Sequence, residues 1–561
     1  MIGHRARNSD RSRHDARTIG AAFCDEPCDY LIVGAGTAGC VLANRLSADP
    51  RCRVLLLEAG ADTRHPLTTV PMGYVRALAH PRLSATITSE PDPGTCNRRH
   101  RMIRGAVVGG SSVVNGMIHV RGHRADFDGW AQAGATGWDY AQVLPYFERA
   151  EALAAATGAD VSAGGLELSP VRNPHPVSQA VLAAFEQAGF HRCADFLGAE
   201  PEGAAFYHAI LRRGRRWSVA RGYLDPVRWR ANLEIRTGAC ALHLLFNAER
   251  ATGVVYRAAG TLRMAQARRA TILAAGTYVT PVLLMRSGIG APAVLHTIGI
   301  EPRVVHSEVG ANLQDHLMVP LSWRLHAHVP SLNCALRGPA LAGALARFLL
   351  RRPGPLSMPA ADVGAFLRST SAESRPDLQF HALPGSSPAD RDPDSIVRAP
   401  DAFPGLTLAP SLLRPESRGR LTLTHPDAGS APCIAPGYLS APADIARLAR
   451  GVRIALEVAA RPALAQLIAA PIRAMDEREA DARVEEYVRA HARPLQHAAG
   501  TCRMGSDTGA VVDPLLRVRG VPGLFVADAS VMPTLPSANT HATVVMIAER
   551  AADLVRLHAE P

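Results

Sequence analysis

The sequence contains no lysine, so all 61 residues counted as lysine or arginine are arginines. A lysine Schiff base therefore cannot form, which excludes pyridoxal-phosphate enzymes and lysine-dependent aldolases. A Walker A phosphate loop is excluded as well, because it needs its lysine on the nucleotide phosphates. The other proportions, 47% hydrophobic and 20% charged residues, are typical of a globular protein, and a chain of 561 residues usually divides into two or more domains.

Long apolar runs are also missing, since no run reaches the ~18 apolar residues that a transmembrane helix needs. The nearest candidate, Ala340 to Leu350, is interrupted by Arg347. We predict a buried or surface-lying helix there, and peripheral contact with a membrane is the alternative. The ten cysteines are scattered singly apart from Cys24 and Cys28, which favours a reducing compartment and predicts cytoplasmic localisation. One cysteine pair is weak support for a ligand set, so no metal site is predicted.

Aromatic residues are scarce, at 5%, whereas the net charge of +11 raises the question of a nucleic-acid partner. Proteins that bind single strands combine basic grooves with aromatic stacking platforms. Here the arginines are spread along the chain, except for a cluster between Arg5 and Arg17 in a segment without apolar periodicity. We predict that residues 1–27 form a disordered arginine-rich tail and that no nucleic acid is bound.

A glycine-rich loop follows the first strand-like segment, Asp29 to Val33. The loop fits the G-x-G-x-x-G pattern, and a small-residue helix is predicted to follow it, from Cys40 to Leu46. A second buried strand is predicted from Arg53 to Leu57. The next residue, Glu58, is an acid placed to accept hydrogen bonds from ribose hydroxyls. These features predict an adenine dinucleotide, FAD or NAD, bound at Gly34, Gly36, Thr37, Ala38, Gly39, Glu58 and Ala59.

Two later segments favour FAD over NAD. The loop from Arg104 to Gly116 is rich in glycine and serine, and its free N–H groups suit a flavin ring and a pyrophosphate. Gly523 to Ser530 is strand-like and ends in Asp528 followed by small residues, a form suited to hydrogen bonding a ribityl chain. A nicotinamide enzyme needs neither segment.

On these motifs the sequence resembles the glucose–methanol–choline (GMC) oxidoreductase family, and in particular its choline-dehydrogenase-like bacterial branch. The resemblance runs from about Tyr30 to Leu554 and also rests on Gly276 to Gly290 and on Val309 to His316. It implies an α/β (α+β) two-domain fold in which a discontinuous Rossmann-like FAD-binding domain is covered by a substrate-binding cap of β-sheet and helices.

The domain bounds follow from where the motifs lie. Residues 28–320 are predicted to be the N-terminal FAD-binding region, residues 321–494 mainly the cap, and residues 495–561 a C-terminal return to the FAD domain. The family's C-terminal region is expected at about residues 410–557. Within the cap, an amphipathic helix is predicted from about Pro442 to Ala460.

The resemblance also implies further cofactor contacts. They are expected at Arg104, Gly109, Gly110, Ser111, Asn115, Gly116, Ala275, Gly276, Asp528, Ala529, Asn539 and Thr540. Some members of the family attach FAD covalently through a histidine just before the loop asparagine. This sequence has Val114 at that position, so non-covalent FAD is predicted.

The catalytic pair implied by the resemblance is His497 with Asn539. A histidine has an unperturbed pKa of ~6.5, which suits it to accept an alcohol's proton near neutral pH, and a neutral amide N–H stabilises the oxygen that remains. His541 competes with Asn539 as the second polar group. Asp315 and His316 are expected to brace the flavin domain, and Asp362 is expected to be a solvated acid at a strand end.

The predicted function is an FAD-dependent oxidoreductase that acts on CH–OH groups. It would oxidise a small-molecule alcohol, expected to be primary, to an aldehyde or ketone, by proton abstraction and hydride transfer to flavin N5. Electrons would pass to a quinone or another redox carrier. The alternatives are an alcohol oxidase that uses O₂, a flavin-containing hydroxynitrile lyase and a non-catalytic flavin-binding protein. With so few aromatic residues, an aromatic box for the quaternary ammonium of choline is hard to assemble.

Overall fold

The computed structural model of the chain describes residues 23–559, apart from 63–64, 156–163, 172–173, 389–398, 428, 474, 476–477 and 479. The strands are β1 (Phe23–Cys24), β2 (Cys28–Val33), β3 (Val54–Leu57), β4 (Ser84–Asp92), β5 (Arg98–Gly105), β6 (Ile118–His119), β7 (Leu168–Pro170), β8 (Gly203–Phe206), β9 (His208–Arg212), β10 (Arg215–Arg216), β11 (Leu233–Arg236), β12 (Ala239–Asn247), β13 (Arg250–Ala258), β14 (Thr261–Leu273), β15 (Ile289–Gly290), β16 (Val304–Val305), β17 (Leu317–Met318), β18 (Leu321–Leu325), β19 (Val363–Leu367), β20 (Leu378–Leu383), β21 (Gly405–Leu412), β22 (Arg420–Thr422), β23 (Cys433–Ala435), β24 (Ile468–Pro471), β25 (Arg493–Pro494) and β26 (Leu524–Val526).

The α-helices are α1 (Thr37–Leu46), α2 (Tyr74–Ala77), α3 (Arg124–Gln132), α4 (Tyr140–Ala155), α5 (Pro176–Gln187), α6 (Thr280–Arg286), α7 (Pro292–Thr297), α8 (Leu332–Ala335), α9 (Gly338–Leu349), α10 (Pro442–Ala459), α11 (Pro462–Ala465), α12 (Asp481–His491) and α13 (Thr540–His558). Short 3₁₀ segments lie at Pro66–Thr68, Pro71–Gly73, Pro93–Thr95, Gly110–Val113, Pro355–Ser357 and Ala529–Val531, and a π-helical turn lies at Ala220–Leu224.

The first large sheet has the strand order β11-β3-β2-β14-β13-β12, and β1 and β26 also pair with β14. Strands β11, β3 and β2, the end of β14, and β26 run parallel to one another. Most of β2 is fully buried, as expected for a parallel strand covered on both faces. The prediction of an α/β fold with a Rossmann-like domain is confirmed, and this domain is called by its predicted name, the FAD domain.

Parallel pairing brings three distant loops to one edge of this sheet. The carboxyl ends of β2, β14 and β26 lie side by side, so the chain leaves them at Gly34, Ala274 and Ala527. In open α/β sheets this edge is where ligands bind. The sheet thus joins the glycine loop to a segment almost 500 residues later in the sequence.

The second large sheet is antiparallel, with the order β24-β18-β21-β20-β19-β8, and β17 links it to β25. Helix α10 packs on it through a buried stripe that includes Ile445, Leu448 and Val452, close to the predicted helix from Pro442 to Ala460. Strand β8, inside the predicted FAD region of residues 28–320, pairs with β19 of this cap sheet. A boundary at residue 320 therefore does not separate the two sheets, because edge pairing recruits a strand from earlier in the chain.

The predicted disordered tail of residues 1–27 needs a correction at its end, whereas residues 1–22 lie outside the described residues. Phe23 and Cys24 form strand β1 beside β14. Asp25 is 8% exposed and forms ion pairs with Arg236 and Arg263. These ion pairs hold the segment just before Cys28 against the sheet.

The C-terminal helix packs against the helix of the glycine loop. Arg45 on α1 pairs with Glu549 on α13 at 2.7 Å, and the Glu549 side chain is fully buried. Glu549 also accepts a hydrogen bond of 2.7 Å from the Tyr223 hydroxyl. This contact holds the two ends of the FAD domain together.

Helix α9 lies on the surface, which is one of the two settings predicted for residues 340–350. Leu345 and Leu349 are 47% and 63% exposed. Among the described residues, no helix combines the length and the apolar character needed to cross a bilayer.

Candidate active site

A cavity of about 410 Å³ lies between the edge of the FAD-domain sheet and the cap sheet. Its volume is in the range of small-molecule sites. The β20 and β21 strands of the cap contribute His381 and Ala409 to its wall. The predicted site residues that line it are Gly36, Thr37, Ala38, Arg104, Gly110, Ser111, Asn115, Gly116, Ala275, Gly276, His497, Asp528, Ala529, Asn539 and Thr540.

The glycine loop has the shape that the sequence pattern requires. Gly34 has φ of +105°, which favours glycine, and a Cβ on Gly39 would lie 1.8 Å from the Gly34 carbonyl oxygen. Helix α1 begins beside this loop, and its N-cap Gly36 provides no side-chain hydrogen bond to the first turn. The N–H groups of that turn therefore point out of the helix with a partial positive charge, which fits a dinucleotide pyrophosphate.

Five of the predicted cofactor residues do not line the cavity, namely Gly34, Gly39, Glu58, Ala59 and Gly109. The two Glu58 carboxylate oxygens accept hydrogen bonds from the backbone N–H groups of Ala35 and Gly60, at 2.8 and 2.7 Å. The backbone N–H of Gly109 donates to the Ala35 carbonyl at 2.7 Å. These residues shape the nucleotide loop, and the predicted contact of Glu58 with a ribose stays a prediction.

Asp528 fixes two loops at the edge of the sheet. It accepts hydrogen bonds from the Gly276 N–H at 2.8 Å, the Thr280 hydroxyl at 2.6 Å and the Ser530 N–H at 2.8 Å. A Cβ on Gly276 would meet open space, so the backbone there can approach a bound group. Arg104, on the cavity wall, has a buried Nε without a hydrogen-bond partner among the described residues. The exposed glycine backbone, the uncapped helix and the unsatisfied guanidinium together fit FAD.

His497 is positioned by the preceding residue, Gln496, and by Asp315. Gln496 has φ of +65°. Its side-chain oxygen accepts a hydrogen bond from the Ile103 backbone N–H at 2.7 Å, and its side-chain N–H donates to the Arg101 carbonyl at 2.9 Å. The backbone N–H of His497 donates to Asp315 at 2.7 Å. Burial raises the pKa of Asp315 to about 7. Asp315 thus braces the candidate catalytic segment directly, which refines its expected role in bracing the flavin domain.

A chain of hydrogen bonds passes through His497. At one end of it stands the backbone carbonyl of Leu413, which can only accept a hydrogen bond. His316 Nε2 lies 2.9 Å from the Leu413 oxygen and therefore donates to it. Burial lowers the pKa of His316 to about 4, so near neutral pH its Nδ1 carries a lone pair. His497 Nδ1, 3.0 Å away, must then donate to His316. His316 therefore contacts the candidate base, a role that the sequence did not predict.

The other end of the chain is anchored in the same way. The Tyr207 hydroxyl donates to the Phe380 carbonyl at 2.8 Å, so its oxygen accepts from Gln379 Nε2 at 3.0 Å. Gln379 Nε2 also donates to Asn539 Oδ1 at 3.2 Å. The Asn539 amide nitrogen consequently faces His497 Nε2, at 3.3 Å.

The hydrogen bonds at both ends of this chain imply the same protonation state for the candidate base, His497. Neutral His497 carries its proton on Nδ1 and presents the Nε2 lone pair to Asn539 and the cavity. Burial lowers the pKa of His497 well below its usual value, and His316 and His381 lower it further. The residue is therefore neutral near pH 7 and ready to accept a proton.

Two further histidines line the cavity. His381 Nε2 and both ring nitrogens of His541 are buried without a hydrogen-bond partner among the described residues. Burial lowers the pKa values of His381 and His541 to about 4 and about 3. No sequence pattern indicated His381, because it lies in an ordinary alternating strand.

Asp362 was expected to be a solvated acid, and that expectation is wrong. It is 1% exposed, and its Oδ1 accepts a hydrogen bond of 2.7 Å from Ser178 on α5. The apolar strand that follows it draws the carboxyl group into the cap. It does not line the cavity, whereas its neighbours Ala360 and Ala361 do.

Comparison with known proteins identifies relatives over most of the chain. A family model described as GMC oxidoreductase matches residues 28–318, and a second with the same description matches residues 415–548. An alcohol dehydrogenase (acceptor) from Pseudomonas putida is 37% identical over 536 residues, which cover 94% of this chain and 95% of that protein.

Two other relatives extend the comparison. An oxygen-dependent choline dehydrogenase from Sinorhizobium fredii is 36% identical over 553 residues, covering 95% of this chain and 97% of that protein. The crystal structure of pyridoxine 4-oxidase from Mesorbium loti superposes with a TM-score of 0.83 and 28% identity, covering 95% of this chain and 100% of the other.

Proposed function

The chain belongs to the GMC oxidoreductase family and is an FAD-dependent oxidoreductase acting on alcohols, and on that premise we propose that it oxidises an uncharged, primary alcohol to the aldehyde. The observation that carries the proposal is the hydrogen-bond chain, because it leaves the His497 Nε2 lone pair and an Asn539 N–H facing each other at 3.3 Å beside the cavity. An alcohol hydroxyl inserted there meets one acceptor and one donor.

The proposed step assigns separate tasks to the two side chains. The substrate hydroxyl donates to His497 Nε2, which takes its proton, and Asn539 Nδ2 donates to the substrate oxygen as negative charge grows on it. General-base help is worth roughly 10²–10⁴-fold, and a positioned donor to a developing alkoxide roughly 10²-fold or more. Bound FAD supplies the acceptor for the hydride that leaves the alcohol carbon. Because Val114 stands where a tethering histidine would be, the FAD is proposed to be non-covalent.

The wall of the cavity supports an uncharged substrate. Among the described residues that line it, Asp528 is the one carboxylate, and its oxygens already accept three protein hydrogen bonds. Arg104 and Arg493 also line the cavity, and its aromatic residues besides histidine are Tyr74 and Tyr278. A quaternary ammonium would find two cations and no aromatic cage. Choline is therefore a poor candidate.

The proposed electron acceptor is a quinone or another redox carrier, with O₂ as the alternative. Support comes from the relative named alcohol dehydrogenase (acceptor). The proposed compartment is the cytoplasm, which is supported by the free thiols of all ten cysteines.

The test is anaerobic reduction of the enzyme-bound flavin, followed by its absorbance. Uncharged primary alcohols of increasing chain length and aryl alcohols are compared with choline. Bleaching by uncharged alcohols and not by choline is expected. Faster bleaching by choline would overturn the substrate proposal, and no bleaching by any alcohol would overturn oxidation itself.

Two further measurements address the alternatives. Cyanohydrin cleavage without flavin reduction would point instead to a lyase. Reoxidation by a soluble quinone and by O₂ then identifies the acceptor.

A further inference from the structure

Helix α9 exposes an apolar surface that no described part of the chain covers. Leu345, Leu349 and the following Leu350 are 47%, 63% and 68% exposed, although side chains of this type are usually buried. The opposite side of the helix is anchored through Ala344 and Phe348, which are buried. Arg347 is the one charged residue among the twelve of the helix. We call the three exposed leucines and the surface between them the α9 face.

Positive charge surrounds the α9 face. Arg337 precedes the helix, Arg351 and Arg352 follow it, and all three are exposed. The sequence has no acidic residue between Asp315 and Asp362. The Arg347 guanidinium donates to the Pro353 carbonyl, a neutral partner that leaves its charge uncompensated. An apolar helix face with arginines at its edge is the pattern of helices that lie in the interface of an anionic bilayer.

The charge distribution also weighs against two other occupants. A second copy docked face to face would bring Arg347, Arg351 and Arg352 of both chains together, and like charges repel. The N-terminal segment of residues 1–22 carries arginines from Arg5 to Arg17, so it is repelled in the same way. Anionic lipid headgroups, in contrast, complement the arginines.

The length of α9 determines whether it could cross a bilayer or lie along its surface. Twelve residues span ~18 Å, which is well short of the ~30 Å hydrocarbon core. The helix must therefore lie along the membrane surface. It packs on the turn Pro355–Ser357, and the chain continues to Ala360 and Ala361 in the cavity wall. A membrane bound at the α9 face would lie close to the wall of the active site.

From these observations we infer that the α9 face docks the enzyme on the surface of an anionic lipid bilayer. The three leucines enter the boundary between headgroups and acyl chains, and the arginines contact the phosphates. The inference does not depend on the alcohol or on the electron acceptor, because it concerns a surface outside the catalytic machinery.

The test is sedimentation of the FAD-bound enzyme with vesicles. Vesicles of phosphatidylcholine mixed with phosphatidylglycerol are compared with vesicles of phosphatidylcholine alone. The wild-type enzyme is expected to bind the anionic vesicles more strongly and to lose binding as salt is added. The double variant Leu345→Gln and Leu349→Gln is expected to bind at least about tenfold more weakly. The double variant Arg351→Gln and Arg352→Gln is expected to lose about fivefold for each arginine.

The matched control is Leu557→Gln, which makes the same change at a leucine that is 77% exposed on α13. It is expected to bind like the wild type. Flavin absorbance and turnover with a soluble acceptor are expected to stay unchanged in every variant, which separates this test from the proposed function. If the leucine variant loses its flavin, the arginine variant decides. Absence of vesicle binding by the wild type, an equal loss in the control, or a dimer that the leucine variant dissociates would each overturn the inference.

Discussion

The direction of each proton around His497 is set by atoms that cannot donate. The carbonyls of Phe380 and Leu413 stand at the two ends of the chain, and every group between them has one consistent orientation. Such a site is preorganised, since neither the amide nor the imidazole has to rotate before a substrate arrives. The roles of His497 and Asn539 therefore differ in kind, because the histidine can take a proton and a neutral amide cannot.

The first prediction compares these two residues. His497→Ala is expected to slow anaerobic flavin reduction by about 10³–10⁴-fold, because it removes the base whose lone pair the hydrogen-bond chain directs beside Asn539. Asn539→Ala is expected to cost about 10²-fold, since water can replace part of a neutral donor. Stopped-flow reduction at saturating alcohol measures both rates, and His425→Ala, at a histidine side chain that is 55% exposed, is the control. Equal losses for the two variants at neutral pH would contradict these roles.

The second prediction concerns Gln379, which is fully buried and orients Asn539. Gln379→Leu removes the donor to Asn539 Oδ1 and is expected to reduce kcat by about tenfold with the flavin content unchanged. Gln379→Glu places an acceptor there, so Asn539 is expected to turn its N–H toward the new carboxylate and its oxygen toward His497. Because an amide oxygen facing His497 Nε2 can accept a hydrogen bond but not donate one, that arrangement favours the protonated form of His497.

The measurement for Gln379 is the pH dependence of kcat/KM. The acid limb, where His497 becomes protonated, is expected to move to higher pH in the Glu variant and to stay near the wild-type position in the Leu variant. A merely structural role would lower activity without moving the limb. An unchanged pH profile in a flavin-loaded Glu variant would therefore show that Gln379 does not orient Asn539.

At the level of elements, the glycine loop depends on a contact between backbones. The two backbone segments approach so closely that a Cβ on Gly39 would lie 1.8 Å from the Gly34 carbonyl oxygen, and backbone atoms cannot move aside as a flexible side chain would. Gly39→Ala is expected to abolish FAD binding or folding, measured as flavin absorbance per protein and as soluble yield.

The control for this prediction is Gly129→Ala in α3, because a Cβ there meets nothing within 4 Å. Alanine at residue 129 is expected to be neutral or stabilising by ~0.5–1 kcal/mol. A flavin-loaded Gly39→Ala protein would disprove the steric argument.

The elements with strong local signals were predictable from the sequence. The buried run before the glycine loop became β2, and the periodic stretch from Pro442 became α10, which ends at Ala459. No local signal indicated that Asn539 would be the N-cap residue of α13 with its side chain directed to His497. Helix α9 was recognised as apolar, but periodicity alone does not say whether an apolar face is covered.

The site was predictable only where residues follow one another in a motif. His497 and Asn539 were proposed from the family resemblance, and the structure brings them together. Tyr207 and Gln379 were not proposed, since they meet Asn539 through the register of the cap sheet, which joins β8 to β19 and β19 to β20. Pairing of that kind depends on contacts across long stretches of chain, for which the local sequence carries no signal.

For the whole molecule, buried histidines predict a loss of stability in acid. The pKa values of His100 and His316 are lowered to about 3 and about 4 by burial, against ~6.5 in an unfolded chain. As pH falls below ~6.5 the unfolded chain takes up protons at these residues and the folded protein does not. Each residue then lowers the free energy of unfolding by up to about 1.4 kcal/mol per pH unit. His381 and His541 act in the same direction.

Asp315 opposes this effect, because its pKa is raised to about 7 and the folded protein binds its proton between pH 7 and 5. The histidines outnumber it, so the urea midpoint is expected to fall between pH 7 and pH 5.5. His100→Phe is expected to reduce this pH dependence, whereas His425→Gln, at an exposed residue, is expected to keep it. A midpoint that stays constant or rises on acidification would contradict the prediction.

The pairing of β26 with β14 has a consequence for synthesis on the ribosome. The glycine loop leaves the exit tunnel early, but the strand that completes its sheet is made almost 500 residues later. At ~5–20 residues per second this interval lasts roughly 25–100 s, during which the nucleotide cradle lacks both Asp528 and α13. A chain that stops before residue 524 therefore cannot retain its cofactor. Loading with FAD should follow release of the finished polypeptide, and flavin fluorescence on stalled nascent chains is expected to remain that of free FAD.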